Sequence, residues 1–277
     1  MKILIFGSEG FIGKKLKEFL STKHEIIDAD KNSKTGFRID AIKEEEVDSL
    51  ISSIKPEVVI DTIALSSSVL CEKNPLLAKE MNYLTAKNIA ESCKKINAKM
   101  IFFSSSYVFD GKKGNYTELD KVSPTNEYAK TKILAEKEVL KLKNSLIIRP
   151  DLMYGVSNKK LRFGASVLDK EVEIGYPNQM KNPLFAEDVP KIISKLIESN
   201  QQGIFHLGGP EVMNMKDFMF SLAKLINKED LIKVVDSSNW IVKSPLNSTL
   251  NISKLKTLGI ELTTLNEAGK IIKNQLS

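Results

Sequence analysis

The first thirteen residues constrain this chain more than any other stretch. Lys2–Phe6 (K-I-L-I-F) is an apolar run without alternation, the pattern of a strand buried on both faces of a parallel sheet. Gly7, Gly10 and Gly13 follow at G-x-x-G-x-x-G spacing, and then an amphipathic run from Phe11 to Leu20. A strand, a glycine turn and a helix form the arrangement that grips a dinucleotide pyrophosphate. The helix N-terminus offers unpaired N–H groups and a partial positive charge. Gly7 is expected to take the positive φ of the turn, Gly10 to let a diphosphate approach the backbone, and Gly13 to let helix and strand lie close.

The rest of the first half alternates strand and helix. Strands are predicted at Glu25–Ala29, Phe37–Ile39, Glu57–Ile63, Lys99–Phe103 and Ser145–Arg149. Helices are predicted at Glu44–Ile54, Pro75–Ile96 and Glu127–Leu142. This rhythm predicts an α/β fold with a doubly wound parallel sheet. After Pro150 it loosens. Gly155–Phe163 reads as loop, Gly164–Lys170 as helix, Val172–Gly175 as strand and Pro177–Pro183 as irregular. Glu187–Ser199 and Met215–Asn227 read as helices, and Gly203–Leu207 and Leu231–Val235 as strands. The expected division is a dinucleotide-binding core at 1–155, to which 184–212 return, and a smaller C-terminal substrate-binding lobe from 156–183 and 213–277.

Composition sets the broad class. The chain has 277 residues and a formal charge of +6, carried almost wholly by lysine, since Arg38, Arg149 and Arg162 are its arginines. The lysines are scattered, with no dense run or aromatic interleaving, which argues against a nucleic-acid face. Two cysteines, Cys71 and Cys93, make no disulfide framework. His24 and His206 lack ligand spacing, so no metal site is expected. No apolar stretch approaches the ~20 residues of a membrane span, and the sequence opens directly into a strand. A cytoplasmic protein is the expectation.

The second constellation is Ser105 with Tyr128 and Lys132. Tyr-x-x-x-Lys puts both side chains on one helix face, one turn apart. A phenol ionises near pH 10, too high for efficient proton exchange at neutrality, and a nearby ammonium lowers that value. A hydroxyl from Ser105 could hold a substrate oxygen against the phenol. Such a site reduces a ketone or oxidises an alcohol. The spacing also arises by chance in a lysine-rich chain, and Tyr83 with Lys87 is a second example. Context favours Tyr128, which opens a helix after a strand tipped by Ser104, Ser105 and Ser106.

These stretches resemble a known family. Gly7–Gly13, Ser104–Gly111 (S-S-S-Y-V-F-D-G), Tyr128–Lys132 (Y-A-K-T-K), Arg149–Gly155 (R-P-D-L-M-Y-G), Gly203–Pro210 and Asn247–Gly259 are similar to the extended short-chain dehydrogenase/reductases, above all the dTDP-4-dehydrorhamnose reductases. The resemblance spans nearly the whole chain. It implies a Rossmann core, NAD(H) or NADP(H), and a catalytic Ser105, Tyr128 and Lys132. It implies cofactor contacts from Gly7, Gly10, Phe11, Ile12, Gly13, Asp30, Lys31, Asp40, Ala41, Ile63, Ala64, Leu65, Asn82, Tyr128, Lys132 and Pro150. Asn82 matches a helix asparagine that helps hold the lysine through water. Asp30 would accept from the adenosine ribose hydroxyls, and Lys31 could neutralise a 2′-phosphate, so both cofactors are expected to serve. Substrate contacts are expected from Ser106, Val108, Leu152, Arg162, Gln179 and Asn182, with Lys181 beside Arg162 neutralising a diphosphate.

The chain departs from the reductase pattern at several points. Ser105 and Ser106 replace Thr and Asp, Asp61-Thr62-Ile63-Ala64 replace N-A-A-A, Leu152 replaces Trp, and Asn182-Pro183-Leu184 replace S-P-T. The function expected is an NAD(P)-dependent reductase of a nucleotide-linked 4-keto-deoxysugar. Two alternatives stay open: a nucleotide-sugar epimerase or dehydratase, and a non-catalytic cofactor-binding regulatory subunit like those of methionine adenosyltransferase. A homodimer is compatible with the sequence.

Overall fold

A computed structural model describes residues 1–235 and 240–277. Its contacts divide into two units. The first comprises 1–105, 127–149 and 189–205, and the second 106–126, 150–188 and 206–277. The loop after Ser105 and residues 150–155 belong with the second unit, and the returning segment is 189–205.

In the first unit the elements are β1 (Lys2–Phe6), α1 (Phe11–Leu20), β2 (Glu25–Asp30), β3 (Phe37–Arg38), α2 (Glu44–Ile54), β4 (Val58–Asp61), α3 (Ser68–Lys73), α4 (Pro75–Lys79), a π-helical turn (Glu80–Leu84), α5 (Thr85–Ile96), β5 (Lys99–Phe103), α6 (Glu127–Val139) and β6 (Ser145–Pro150). The seven-stranded sheet runs Gly203–Leu207, β6, β5, β4, β1, β2, β3. β1 pairs in parallel with both β2 and β4, placing Phe6 level with Ala29 and Asp61. Ile3, Leu4, Ile5 and Phe6 are all buried, which is why this strand shows no alternation. Helical spacing puts Ala86, Ile89, Ala90 and Cys93 of α5 into the core with Phe102, Leu4 and Phe6. The helix expected over Pro75–Ile96 is present but interrupted by the π turn, and α3 was not expected before it.

The second unit builds its core on a four-stranded sheet in the order Leu184–Phe185, Met153–Ser157, Lys160–Phe163, Ser166–Val167. Here two expectations fail. Gly155–Phe163 is a hairpin, not a loop, and its turn residues Asn158 and Lys159 both take positive φ, as a two-residue hairpin turn requires. Gly164–Lys170 is not helical; Ser166–Val167 instead adds a strand to that hairpin. Tyr154, Phe163, Phe185, Phe218, Leu222 and Ile272 fill the space between this sheet and the helices Met215–Leu225 and Leu265–Leu276. Trp240 packs so closely on Gly175 that a Cβ there would strike its ring.

Candidate active site

The glycine turn is built as its spacing requires. Gly7 has φ +77°, and a Cβ at Gly13 would collide with the Gly7 carbonyl oxygen. Gly10 caps α1 and donates its N–H to Gly7 O at 3.0 Å. The first turn of α1 carries no acidic side chain of its own to offset its positive end. Thr62 reaches back to the turn, donating to Phe6 O at 2.9 Å or Gly7 O at 3.1 Å. Ser8 Oγ is buried with no hydrogen-bond partner.

Asp30, at the end of β2, accepts from the backbone N–H of Glu9 (3.2 Å) and of Asn32 (2.8 Å), so its carboxylate braces the glycine turn. Lys31 pairs with Asp40 at 2.8 Å, which holds the Asp40 carboxyl below its ordinary value. Asn88 donates to the carbonyls of Ala41 and Ile42, fixing the segment beside Asp40. Beyond β4, Ile63 N–H bonds Asp61 at 2.9 Å, and Asn82 clamps Leu65 by accepting from its N–H (2.7 Å) and donating to its carbonyl (3.3 Å). The Ile63–Leu65 run is thus pinned at both ends. Asn82 lies in the π turn, a distortion that often marks a functional position, and its amide also reaches Thr131 at 3.1 Å. It touches the residue next to Lys132 rather than Lys132 itself.

Ser105, Tyr128 and Lys132 all fall in the first unit. Ser105 is buried just past β5, and Tyr128 is half-buried near the start of α6. Lys132 is 1% exposed, its Nζ lies 4.5 Å from the centre of the Phe102 ring, and it makes no hydrogen bond. Burial pushes it down to about 8, against the opposing pull of Asp61, Glu136 and Cys71. One turn further on, Glu136 is held by a buried two-pronged pair with Arg149 at 2.9 and 2.6 Å. The rival motif differs: Lys87 sits at the surface, paired with Glu91 at 3.7 Å.

The second unit holds a separate polar cluster. Asp151 accepts from Ser106 Oγ (2.9 Å) and Asn182 N–H (2.7 Å), and lies 3.4 Å from Lys181 Nζ. Lys181 also donates to Ser248 at 2.7 Å and lies 4.2 Å from the centre of the Tyr107 ring. The cation expected to meet a diphosphate is therefore already neutralised inside the protein. Asn182 exchanges two bonds with Leu250, and Gln179 donates to Pro245 O at 2.7 Å. Both amides brace the loop that carries Ser248. Val108 is fully buried, Leu152 is half-buried, and Arg162 stands on a hairpin strand opposite Gly155. Asp151, the hub of the cluster, was not among the expected site residues; its only sequence signal is its place in R-P-D-L-M-Y-G.

Strand order and glycine turn together define a protein of the Rossmann-type α/β class. The chain belongs to the family described as RmlD substrate binding domain, whose profile matches residues 1–276. It is 30% identical to methionine adenosyltransferase 2 subunit beta of Rattus norvegicus, over 94% of this chain and 83% of that protein. It is 25% identical to the dTDP-4-dehydrorhamnose reductase of Aggregatibacter actinomycetemcomitans, over 98% of each. The crystal structure of Bacillus anthracis dTDP-4-dehydrorhamnose reductase in complex with NADP superposes with a TM-score of 0.85 at 22% identity, covering 98% of each chain. Among the described residues no helix is long and apolar enough to cross a membrane.

Proposed function

We propose that this chain is an NAD(P)-dependent reductase of a nucleotide-linked 4-keto-deoxysugar. The observation that carries the reading is Lys132, a fully buried ammonium without a hydrogen bond, one helical turn from a half-buried tyrosine. A lysine so placed lowers the pKa of a neighbouring phenol, making its proton easier to give up. The residues present fit a dinucleotide. The glycine turn packs tightly against Thr62, just past β4, and the start of α1, the first turn of α1 carries no acid, and Ser8 Oγ and Lys132 Nζ are buried without hydrogen bonds. A bound nicotinamide supplies hydride chemistry there. Gly7–Gly13 would hold its diphosphate, Asp30 and Lys31 the adenosine end, and Asn82, through Leu65, the run beside the cofactor. Tyr128 gives its hydroxyl proton to the carbonyl oxygen, Ser105 orients that oxygen, and Lys132 stabilises the phenolate left behind. Ser106, Val108, Leu152, Arg162 and Gln179 supply substrate recognition. Leu152 offers no stacking surface, so the nucleotide is left open. The NADP complex of the Bacillus anthracis reductase and the reductase relatives support this reading.

The test is NADH and NADPH oxidation with a panel of nucleotide-linked ketosugars, using the wild type and Tyr128→Phe. The variant should lose ~10²–10⁴ in rate while cofactor affinity is kept. Equal loss on changing Tyr83 would reject the choice of tyrosine. A second reading draws on the 30% identity to methionine adenosyltransferase 2 subunit beta: a cofactor-binding regulatory subunit. No cofactor consumption with any ketosugar, together with co-purification with a methionine adenosyltransferase, would establish it instead.

A further inference from the structure

Asp61 ends β4, where the reductase pattern carries asparagine. Its side chain is buried; Oδ1 accepts from Ile63 N–H at 2.9 Å, and Oδ2 is buried without a hydrogen-bond partner. In the sheet Asp61 lies level with Phe102 of β5. Residues side by side in neighbouring strands project to the same face. Lys132 Nζ stands 4.5 Å from the centre of the Phe102 ring, so the ammonium lies on the sheet face that Asp61 and Phe102 share. Ser104 lies two residues beyond Phe102, on the same face by alternation, and its buried Oγ also lacks a partner. Asp61 Oδ2, Lys132 Nζ and Ser104 Oγ are thus three buried polar atoms without hydrogen bonds on one face of the sheet, where unmade bonds are costly.

We propose that Asp61 is a positioning residue for Lys132, the counter-charge that keeps this buried ammonium protonated and aimed while it makes no hydrogen bond of its own.

The surroundings leave Asp61 as the charge available for this role. On its own helix, Lys132 has Glu136, but that carboxylate is committed to Arg149 of β6. Tyr128, on the same helix, is the phenol that Lys132 serves. From α3 comes Cys71, whose thiol burial pushes up to about 11, and from α5 comes Cys93, pushed up still further. Both are neutral near pH 7. Asn82 and Thr131 bond each other and carry no charge. Asp61 itself is raised to about 6 by burial, with Lys132 as the main opposing influence. Between about 6 and about 8 both partners are therefore charged.

The proposal rests on Lys132 being the lysine of the site but not on turnover, so its test uses cofactor-free protein. Lysine ε-carbons are labelled, and the Lys132 NMR signal is identified by its loss in Lys132→Met. In the wild type this signal should titrate near pH 8 with a second inflection near pH 6, where Asp61 ionises. In Asp61→Asn, which restores the residue usual at this position, the inflection near 6 should vanish and the main midpoint fall by about one unit or more. An unchanged midpoint in the variant, or no inflection near 6 in the wild type, overturns the proposal. Should the variant not fold, the wild-type titration decides alone. Failure of the reductase reading would show as absent turnover with the titration coupling intact.

Discussion

Lys132 and Lys181 are both almost fully buried lysines lying over an aromatic ring, and they do opposite things with the same group. Lys181 Nζ sits 4.2 Å from the Tyr107 ring centre, donates to Ser248 at 2.7 Å and meets Asp151 at 3.4 Å. Lys132 Nζ sits 4.5 Å from the Phe102 ring centre and makes no hydrogen bond. A buried charge without hydrogen bonds is costly, and folding alone gives no reason to keep one. Lys181 is structural: its charge is spent on fastening the segment 179–182 to Asp151 and Ser248. Lys132 is held in reserve, its donors unspent. In the function proposed above, the satisfaction of the ammonium, more than its burial, is what separates a strut from a reactive group.

Replacing each lysine by methionine breaks the comparison most directly. Lys132→Met should cost ~10²–10⁴ in turnover, as removal of proton-transfer machinery does, with little loss of stability at pH 7, because Asp61, already raised to about 6, takes up a proton when its counter-charge goes. Lys181→Met should do the reverse where stability is concerned. It leaves the buried Asp151 without its cation, a loss of about 3 kcal/mol in denaturant unfolding. If Lys132→Met destabilises as much as Lys181→Met, the distinction between the two fails.

The pH dependence of stability sharpens the contrast. Because Lys132 is pushed down to about 8, the native state sheds its proton before the unfolded chain does. Between about 8 and the ordinary lysine value near 10.4 the unfolded state binds more protons, so Lys132 makes stability rise with pH in that window. Subtracting the Lys132→Met curve from that of the wild type isolates this slope; a flat difference would show that Lys132 titrates normally. The smallest effect concerns the second unit's arginine. Arg162→Ala should weaken nucleoside diphosphate binding several-fold while leaving cofactor affinity alone, because charge-assisted bonds to phosphate are the stronger kind. Calorimetric titration of cofactor-loaded protein reads this, and absence of any nucleoside diphosphate binding at millimolar concentration would move the substrate away from nucleotide sugars.

What the sequence revealed follows the range of the interactions involved. β1, the glycine turn and α1 are local: an unbroken apolar strand, glycines at fixed offsets and a 3.6-residue period all lie within Lys2–Leu20. Tyr128 and Lys132 were legible because helical spacing alone puts them together. The burial of Lys181 was not legible, because it depends on Asp151, which is 30 residues earlier, and Ser248, which is 67 residues later. Nothing near Lys181 announces either. The hairpin at Met153–Phe163 was missed because Asn158-Lys159 makes its turn where glycine would normally signal one. The π turn at Glu80–Leu84 has no sequence signature, since Ala78 and Ala86 keep their inward positions on either side of it.

The chain passes between its two units at residues 105, 126, 149, 188 and 205, so Ser105 and Ser106 are covalent neighbours belonging to different units. Neither unit exists as one continuous stretch of polypeptide. No single cut or fusion point can transplant the second unit onto another protein's sheet, and no terminal truncation can isolate it. A chain wired this way can be altered by replacing single side chains but not by exchanging modules.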